Sequence, residues 1–463
     1  MEVMRCDKSK NCRPSLKLQI KLKILKNMST NKYLNEIVSI EQFLELNCDG
    51  LYYTGHASVI TRINGNNYLF DYVKDSFPYG DKWRFFPALI DKIPMNKING
   101  IFVSHVHQDH FDPIFLSSDE IDCPIYVIEG RSSFKDALNR YGIKYVNLPV
   151  GSKYEIASGV YIHGFLHQSN GVDASCCIGN RNFSVYHGND NYLATEILQS
   201  RDPEFANIDV ACLPYAYINW YPQLLDNLSI EEKSNESERL CNFYYEYAIE
   251  QAKQLNAKQI IPFGANLVYK NSARSALNME CKTPLDFESY MRRTRGSDEA
   301  LKFKALFGGD VILKDQDSLV IKSDDRFDEQ TYRDAMQEFL SSLIYEEKLD
   351  EFNNVNQPLS LLPKLEVITP TIYDHYICVC DGETEKGVMI NTRNSSIAKL
   401  DIKYLQSNNF DYHLIKIKNK ALYQEWLTKR VTIEEIIGSR EFTMLRMPNI
   451  YNKDVLKILT TQI

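Results

Sequence analysis

The chain has no apolar run approaching 18 residues, so no segment has the length and character of a membrane-spanning helix. It has no CxxC, which removes zinc ribbons and thioredoxin chemistry. It has no Gly-rich phosphate loop and no GxSxG elbow, so nucleotide cofactors and serine hydrolysis find no support. Positive charge is not in excess either. The 53 Lys and Arg face 61 Asp and Glu, a net charge of -8, which argues against a nucleic-acid surface spread over the molecule. Histidine is scarce, with nine residues in 463. Three of those nine lie within six residues, in SHVHQDHFD (104–112).

What is present fits a globular protein. Apolar content is 44% and charged content 25%, and the length calls for two domains plus an appendage. Eleven cysteines without a regular framework imply reduced thiols and a cytoplasmic home. Cys176 and Cys177 lie in an apolar run and read as core. Residues 1–45 form a basic N-terminal extension and a lead-in helix. Leu16, Leu18, Ile20, Leu22 and Ile24 alternate there with polar residues, a period that suits a strand. The extension reads either as a basic arm for a membrane or partner, or as a frayed lead-in.

From residue 51 strands dominate. LYYTGHASVITRI is β-branched and aromatic, Asn64-Gly65-Asn66-Asn67 makes a turn, and YLFDYV returns. INGIFVSHV is a short buried strand that runs into the histidine loop. Later strands include CPIYVIE, VYIHGFLH, SCCIG, NFSVYHG, IDVACLPYA and KQIIPFGAN. Helices are expected over 131–142, 191–203 and 229–255, the last opening at Ser229 with Glu231 and Glu232. Two sheets in sequence with helices between them give an α/β layered fold rather than strict βαβ alternation. A boundary near 325 separates residues 46–325 from a smaller α+β unit, 326–463, which opens with an amphipathic helix over 328–350. His375 and His413 read there as isolated surface or core residues.

The histidine loop follows an apolar strand directly. Imidazole and carboxylate suit Zn²⁺ and non-haem iron alike. His105 and His107 point the same way if the strand continues, so they can grip one metal. Asp109 and His110 fall in the turn beyond and can face a second.

The pattern HxHxDH after a strand resembles the metallo-β-lactamase superfamily. GHAS (55–58) with YLFDYV, and His167 in FLHQSNGVDAS, resemble its lactonase-like and phospholipase-D-like branch. The resemblance covers about residues 50–270. It implies a four-layer αββα sandwich, with a smaller C-terminal α+β extension in this chain. It implies that His105, His107 and His167 hold one divalent metal, His163 being a second candidate for the third place. Asp109, His110 and Asp190 would hold another, with Asp190 bridging. One position departs from the pattern: Gly264-Ala265-Asn266 stands where the last histidine is expected. Water, substrate, Asn266 or His187 fills the gap, or the second site binds weakly, or one metal binds alone. That departure resembles the CMP-N-acetylneuraminate hydroxylase-like proteins, as do Pro262-Phe263-Gly264-Ala265 and the aromatic run 215–222. No paired CxH and CxxH motifs occur, so a Rieske module is absent from the sequence.

The resemblance implies two divalent metals, zinc or iron, acting on a small-molecule substrate. A metal-bound hydroxide, formed because the bound water has its pKa lowered to about 7, would hydrolyse an ester, lactone or phosphodiester. A diiron oxygenase on the same ligands is the second reading, and a degenerate metal-binding scaffold the third. Asp109, His56 and His187 are the catalytic candidates beside the ligands. His56 and His187 read equally as core histidines. The aromatic run 215–221 lines a pocket or fills a core. Arg292, Arg293 and Arg295 hold an anion or form a solvated helix face.

Overall fold

The computed structural model describes residues 38–344 and 375–449, except 75–77, 129, 131, 168–172, 217–219, 271–276, 279–281, 301, 324, 395, 419, 429–430 and 432. The basic arm 1–27 and the last expected helix, KDVLKILTT, lie outside the described residues.

The segment expected as one long strand folds into a hairpin. β1 (Gly50–Gly55) and β2 (Ser58–Ile63) are separated by a turn at Gly55 and His56, with φ of 120 and 51. The glycine adopts this backbone freely and frees His56 from the sheet. Asn64 and Gly65, with φ of 50 and 77, then make the expected turn into β3 (Asn66–Phe70). β4 (Trp83–Phe85), β5 (Gly100–Val103), β6 (Ile125–Val127) and β7 (Val146–Asn147) follow. Next come β8 (Lys153–Ala157), β9 (Val160–Leu166), β10 (Ala174–Gly179), β11 (Ser184–His187), β12 (Val210–Pro214) and β13 (Gln259–Phe263). β14 (Leu267–Tyr269), β15 (Val311–Asp315) and β16 (Ser318–Lys322) complete the first unit.

β4 and β14 pair as a separate two-stranded sheet, and the other strands build two larger ones. One has the order β16-β15-β1-β2-β3-β5-β6-β7, the other β13-β12-β11-β10-β9-β8. Alternation along each strand decides which side chains meet. Tyr53, Val59, Phe70 and Phe102 of the first sheet share one buried cluster with Cys176, Ile178, Val185 and Ile261 of the second. Tyr52, Ile60, Leu69 and Val103 point outward, against Phe43, Phe115 and Leu138 of flanking helices. On the far side Tyr186, Ala211 and Ile260 pack under Tyr245, Ala248 and Ala252 of the helix Ile230–Gln254. Ser229 and Glu232 form a capping box at the start of that helix. The result is the expected four-layer αββα sandwich, and both cysteines of the Cys176-Cys177 pair are core.

The helix expected over 328–350 spans Glu329–Ile344. It packs Tyr332, Met336 and Leu340 on Phe86, Val268 and Phe307 of the first unit. Beyond it, β17 (His375–Asp381), β18 (Gly387–Asn391), β19 (Ile397–Lys399), β20 (Asp411–Ile417) and β21 (Phe442–Met447) form a five-stranded sheet in the order β19-β18-β17-β20-β21. Ile377, Val379, Ile415 and Phe442 of this sheet share a core with Trp83, Trp220, Leu225 and Tyr269. The C-terminal sheet therefore rests on the paired strands β4 and β14 and on the segment that carries Trp220 and Leu225. Among the described residues, no helix is long and apolar enough to cross a membrane.

Candidate metal centre

The histidine loop is shaped by its two ends. β5 is buried along its whole length and pairs in parallel with β3, Phe70 opposite Phe102. The chain then turns: His110 and Phe111 donate their N–H groups to the His107 carbonyl at 3.0 and 2.8 Å. Asp112 closes the turn by capping the helix Pro113–Leu116, its carboxylate accepting from the Phe115 amide at 3.1 Å. Of the loop's two acids, Asp112 thus serves the backbone and Asp109 faces the histidines.

Asp71 follows β3 and so lies beside Ser104, which follows β5. It accepts from the Ser104 amide at 2.8 Å and the Ser104 hydroxyl at 2.5 Å. Its Oδ2 also lies 3.0 Å from His110 Nδ1. Burial disfavours this carboxylate, but the His110 and Ser104 hydrogen bonds outweigh it and hold Asp71 below its ordinary value. An ionised carboxylate only accepts, so His110 Nδ1 donates to it and Nε2 is the nitrogen that faces the site. That Nε2 lies 3.5 Å from Asp109 Oδ2 and 3.5 Å from Asp190 Oδ2, with no hydrogen-bond partner.

A buried imidazole nitrogen facing two carboxylates is untenable unless a positive charge lies between them. A proton on His110 would supply it. Burial opposes that proton, yet Asp109 and Asp190 together push the imidazole well above its ordinary value. A divalent cation supplies the charge equally well, and a carboxylate behind the ligating histidine is the usual support for one. The residues fit a metal.

His105 Nε2 is the second focus. It lies 2.7 Å from His107 Nδ1, 3.7 Å from Asp173 Oδ1 and 3.9 Å from Asp190 Oδ2. Burial and its two histidine neighbours hold it well below its ordinary value, so it is neutral. Among the described residues, three groups have ligand atoms within 4.8 Å of one another: His105, His107, Asp173; His105, His110, Asp190; and His56, Asp109, His110. His167 contributes no atom to them. It sits one step from Asp173 across the β9–β10 hairpin, its amide donating to the Asp173 carbonyl at 2.8 Å.

His56 groups with Asp109 and His110. Its Nε2 lies 3.4 Å from Asp109 Oδ2, and the Asn266 amide donates to its Nδ1 at 3.2 Å. Nδ1 is thus an acceptor, and Nε2 is the nitrogen that carries a proton and faces Asp109. Gly264 has φ of 83, and a Cβ there would lie 3.6 Å from Asp190 Oδ1. The space over Asp190 stays clear of protein side chain at that position. On the other side the Tyr79 hydroxyl donates to Asp109 Oδ1 at 3.3 Å.

The remaining expectations fall elsewhere. His187 lies behind the site, in the layer between the sheets. Its Nε2 is 2.9 Å from the Ala57 carbonyl and its ring stacks on Phe70 at 4.8 Å. His163 packs on Phe165 at 4.7 Å. Tyr215 and Trp220 are core, while 217–219 lie outside the described residues. Arg292 pairs with Glu288 at 3.1 Å, and Arg295 pairs with Glu246. Asp71, Asp173 and Tyr79 join the site unannounced by the sequence. Asp71 had one available signal: it ends a strand that pairs with the strand feeding the loop.

No protein-family model matches the chain, and no curated protein matches it. Solved structures do. Igni18, a metallo hydrolase from the archaeon Ignicoccus hospitalis KIN4/I, matches with a TM-score of 0.39 and 16% identity, over 58% of this chain and 99% of its own. A possible metal-dependent hydrolase from Veillonella parvula DSM 2008 has a TM-score of 0.39 and 15% identity, over 58% of this chain and 100% of its own. CmlA, a diiron beta-hydroxylase from Streptomyces venezuelae, has a TM-score of 0.34 and 15% identity, over 47% of this chain and 45% of its own. The αββα sandwich, the HxHxDH loop at the end of β5 and Asp190 beyond the end of β11 are the features this chain shares with the metallo-β-lactamase fold.

Proposed function

We propose that the protein is a metal-dependent hydrolase that cleaves an ester, lactone or phosphodiester of a small molecule. The observation that carries this reading is the His110 Nε2 atom set 3.5 Å from each of two carboxylates. His105 and His107 would hold one divalent metal, and Asp109, His110 and Asp190 a second. Such ions supply Lewis acidity and a water acidic enough to react near neutral pH.

The chain's own groups would do the rest. Asp71 fixes the His110 tautomer. His56, through its Nε2 proton, and Tyr79, through its hydroxyl, orient Asp109. The Asp190 side chain, 38% exposed beside a fully buried His105, marks the side from which substrate enters. The clear space at Gly264 lies on that same side.

A diiron oxygenase on the same residues is the second reading. It is favoured by the gathering of His105, His107 and Asp173, because two histidines with one carboxylate are a ligand set of non-haem Fe(II) sites. Metal analysis of anaerobically purified protein, with an absorption spectrum, separates the two. Zinc or manganese with turnover of a chromogenic phosphodiester or lactone supports hydrolysis. About two irons per chain and no hydrolysis would replace it with the oxygenase. No stoichiometric metal would remove both.

A further inference from the structure

We infer that the third protein ligand of the first metal is Asp173 rather than the histidine that the sequence pattern offers, which makes that site a 2-His-1-carboxylate set. The inference rests on the metal-site reading above and deepens it.

The argument starts at the β9–β10 hairpin. Leu166 pairs with Ala174, so the next residues out, His167 and Asp173, form the following cross-strand step. Opposed residues on an antiparallel pair share one face, with Cβ atoms about 4.5–5.5 Å apart. Both residues therefore stand at the same place on the rim, and either could supply the ligand. The structure chooses between them. Asp173 Oδ1 lies 3.7 Å from His105 Nε2 and groups with His105 and His107. Among the described residues, the His167 ring nitrogens belong to no such group.

His105 itself belongs to two groups, with His107 and Asp173 and with His110 and Asp190. A ring nitrogen has one lone pair and binds one metal. Asp109, His110 and Asp190 already converge without it, since both carboxylates lie 3.5 Å from His110 Nε2. His105 therefore goes with His107, 2.7 Å away. Asp173 completes that trio, its Oδ1 lying 3.7 Å from His105 Nε2 and within reach of His107.

The chemical consequence is a charge difference. Two divalent ions with Asp109, Asp173 and Asp190 keep one net positive charge, where a histidine in place of Asp173 would leave two. Two histidines and one carboxylate also leave coordination positions open. That ligand set is used by non-haem Fe(II) sites and is equally found on catalytic zinc.

The test uses the full-length chain and metal alone. Wild type, Asp173→Ala, Asp173→His and His167→Ala are stripped of metal, titrated anaerobically with Zn(II) and then with Fe(II), and dialysed. Bound metal is measured per chain, with thermal melting as the check on folding. Wild type and His167→Ala should keep the same stoichiometry and affinities. Asp173→Ala should lose about one equivalent or bind it at least tenfold more weakly. Asp173→His should recover it, because imidazole replaces the carboxylate. Recovery keeps the test decisive if the alanine variant fails to fold. Loss of the equivalent in His167→Ala, with retention in Asp173→Ala, overturns the inference and leaves the metal-site reading standing. A wild-type chain that binds no metal overturns both.

Discussion

Two histidine pairs in this molecule make the same contact. In the loop after β5, His105 Nε2 lies 2.7 Å from His107 Nδ1. In the C-terminal sheet, His375 Nε2 lies 2.7 Å from His413 Nδ1. All but His107 are buried. The surroundings differ. The first pair is met by Asp173 and Asp190 and stands beside His110. The second bridges two parallel strands, and among the described residues no third ligand atom gathers with it. Proximity of imidazoles is therefore not what makes a metal site. A pair of rings alone is neutral and can satisfy itself with one shared proton. Adding carboxylates leaves a negative cavity that a cation must fill.

The largest effect should come from removing one ring of each pair. His105→Ala is expected to lose at least one metal equivalent and to reduce turnover by well over the ~10–100-fold typical of losing a partner behind a ligand. His375→Ala should leave metal content and turnover unchanged and lower the melting temperature alone. Metal analysis of the two variants side by side checks this. Equal metal loss in both would erase the distinction.

The next effect lies one residue further out. Asp71→Asn keeps the shape but can no longer hold the proton on His110 Nδ1. Metal affinity should fall by about 10–100-fold, measured by competition with a chromophoric chelator. Among the described residues no group of metal-ligating atoms forms around the C-terminal pair, so no C-terminal substitution should reproduce the change. Unaltered affinity in Asp71→Asn would mean that the tautomer is set by something else.

The two regions should also respond to pH with opposite sign. His110 in the metal-free protein sits well above its ordinary value of 6.5, because burial is outweighed by Asp109 and Asp190. The stability it lends is fully present below 6.5 and is lost as pH rises through the raised value. His375 sits below 6.5 because it is buried, with Asp411 opposing weakly. The unfolded chain protonates first, so the stability tied to neutral His375 is full above 6.5 and falls as pH drops below it. Melting of metal-free His110→Gln and His375→Gln across pH 5 to 9 separates the two. His110→Gln should cost most at low pH and His375→Gln at high pH. The same pH trend in both would contradict the assignment.

Much of this was legible in the sequence. The succession of strands along the chain, the turn at Asn64-Gly65, the helix from Ser229 and the turn of the histidine loop all follow from local pattern, because each is fixed by residues adjacent in the chain. The hairpin at Gly55 was not, since LYYTGHASVITRI reads as continuous β-branched sequence and only the positive φ of Gly55 and His56 breaks it. Asp71 and Asp173 were hidden for another reason. They reach the site through strand pairing, which joins residues 33 apart in one case and places Asp173 across from His167 in the other. The pairing of His375 with His413 arises likewise from the parallel register of β17 with β20.

The smallest expected effect joins the two regions directly. Tyr79 touches the site through its hydroxyl, 3.3 Å from Asp109 Oδ1, and its amide donates to Gln108 Oε1 at 2.6 Å. Its ring is pressed against Gly438 of the C-terminal unit, where an added Cβ would lie 2.2 Å from the ring carbons. Trp83 fixes the same turn, its indole donating to the Gly438 carbonyl at 2.8 Å. The C-terminal unit thus braces the Tyr79 hydroxyl that donates to Asp109. A single hydrogen bond is worth about 1 kcal/mol net, so Tyr79→Phe should slow turnover by roughly fivefold while metal content stays at the wild-type level. Gly438→Ala should match that loss without touching the site, because the ring must move to admit the methyl group. If Gly438→Ala is silent while Tyr79→Phe is slow, the C-terminal sheet supports the fold and has no hold on the chemistry.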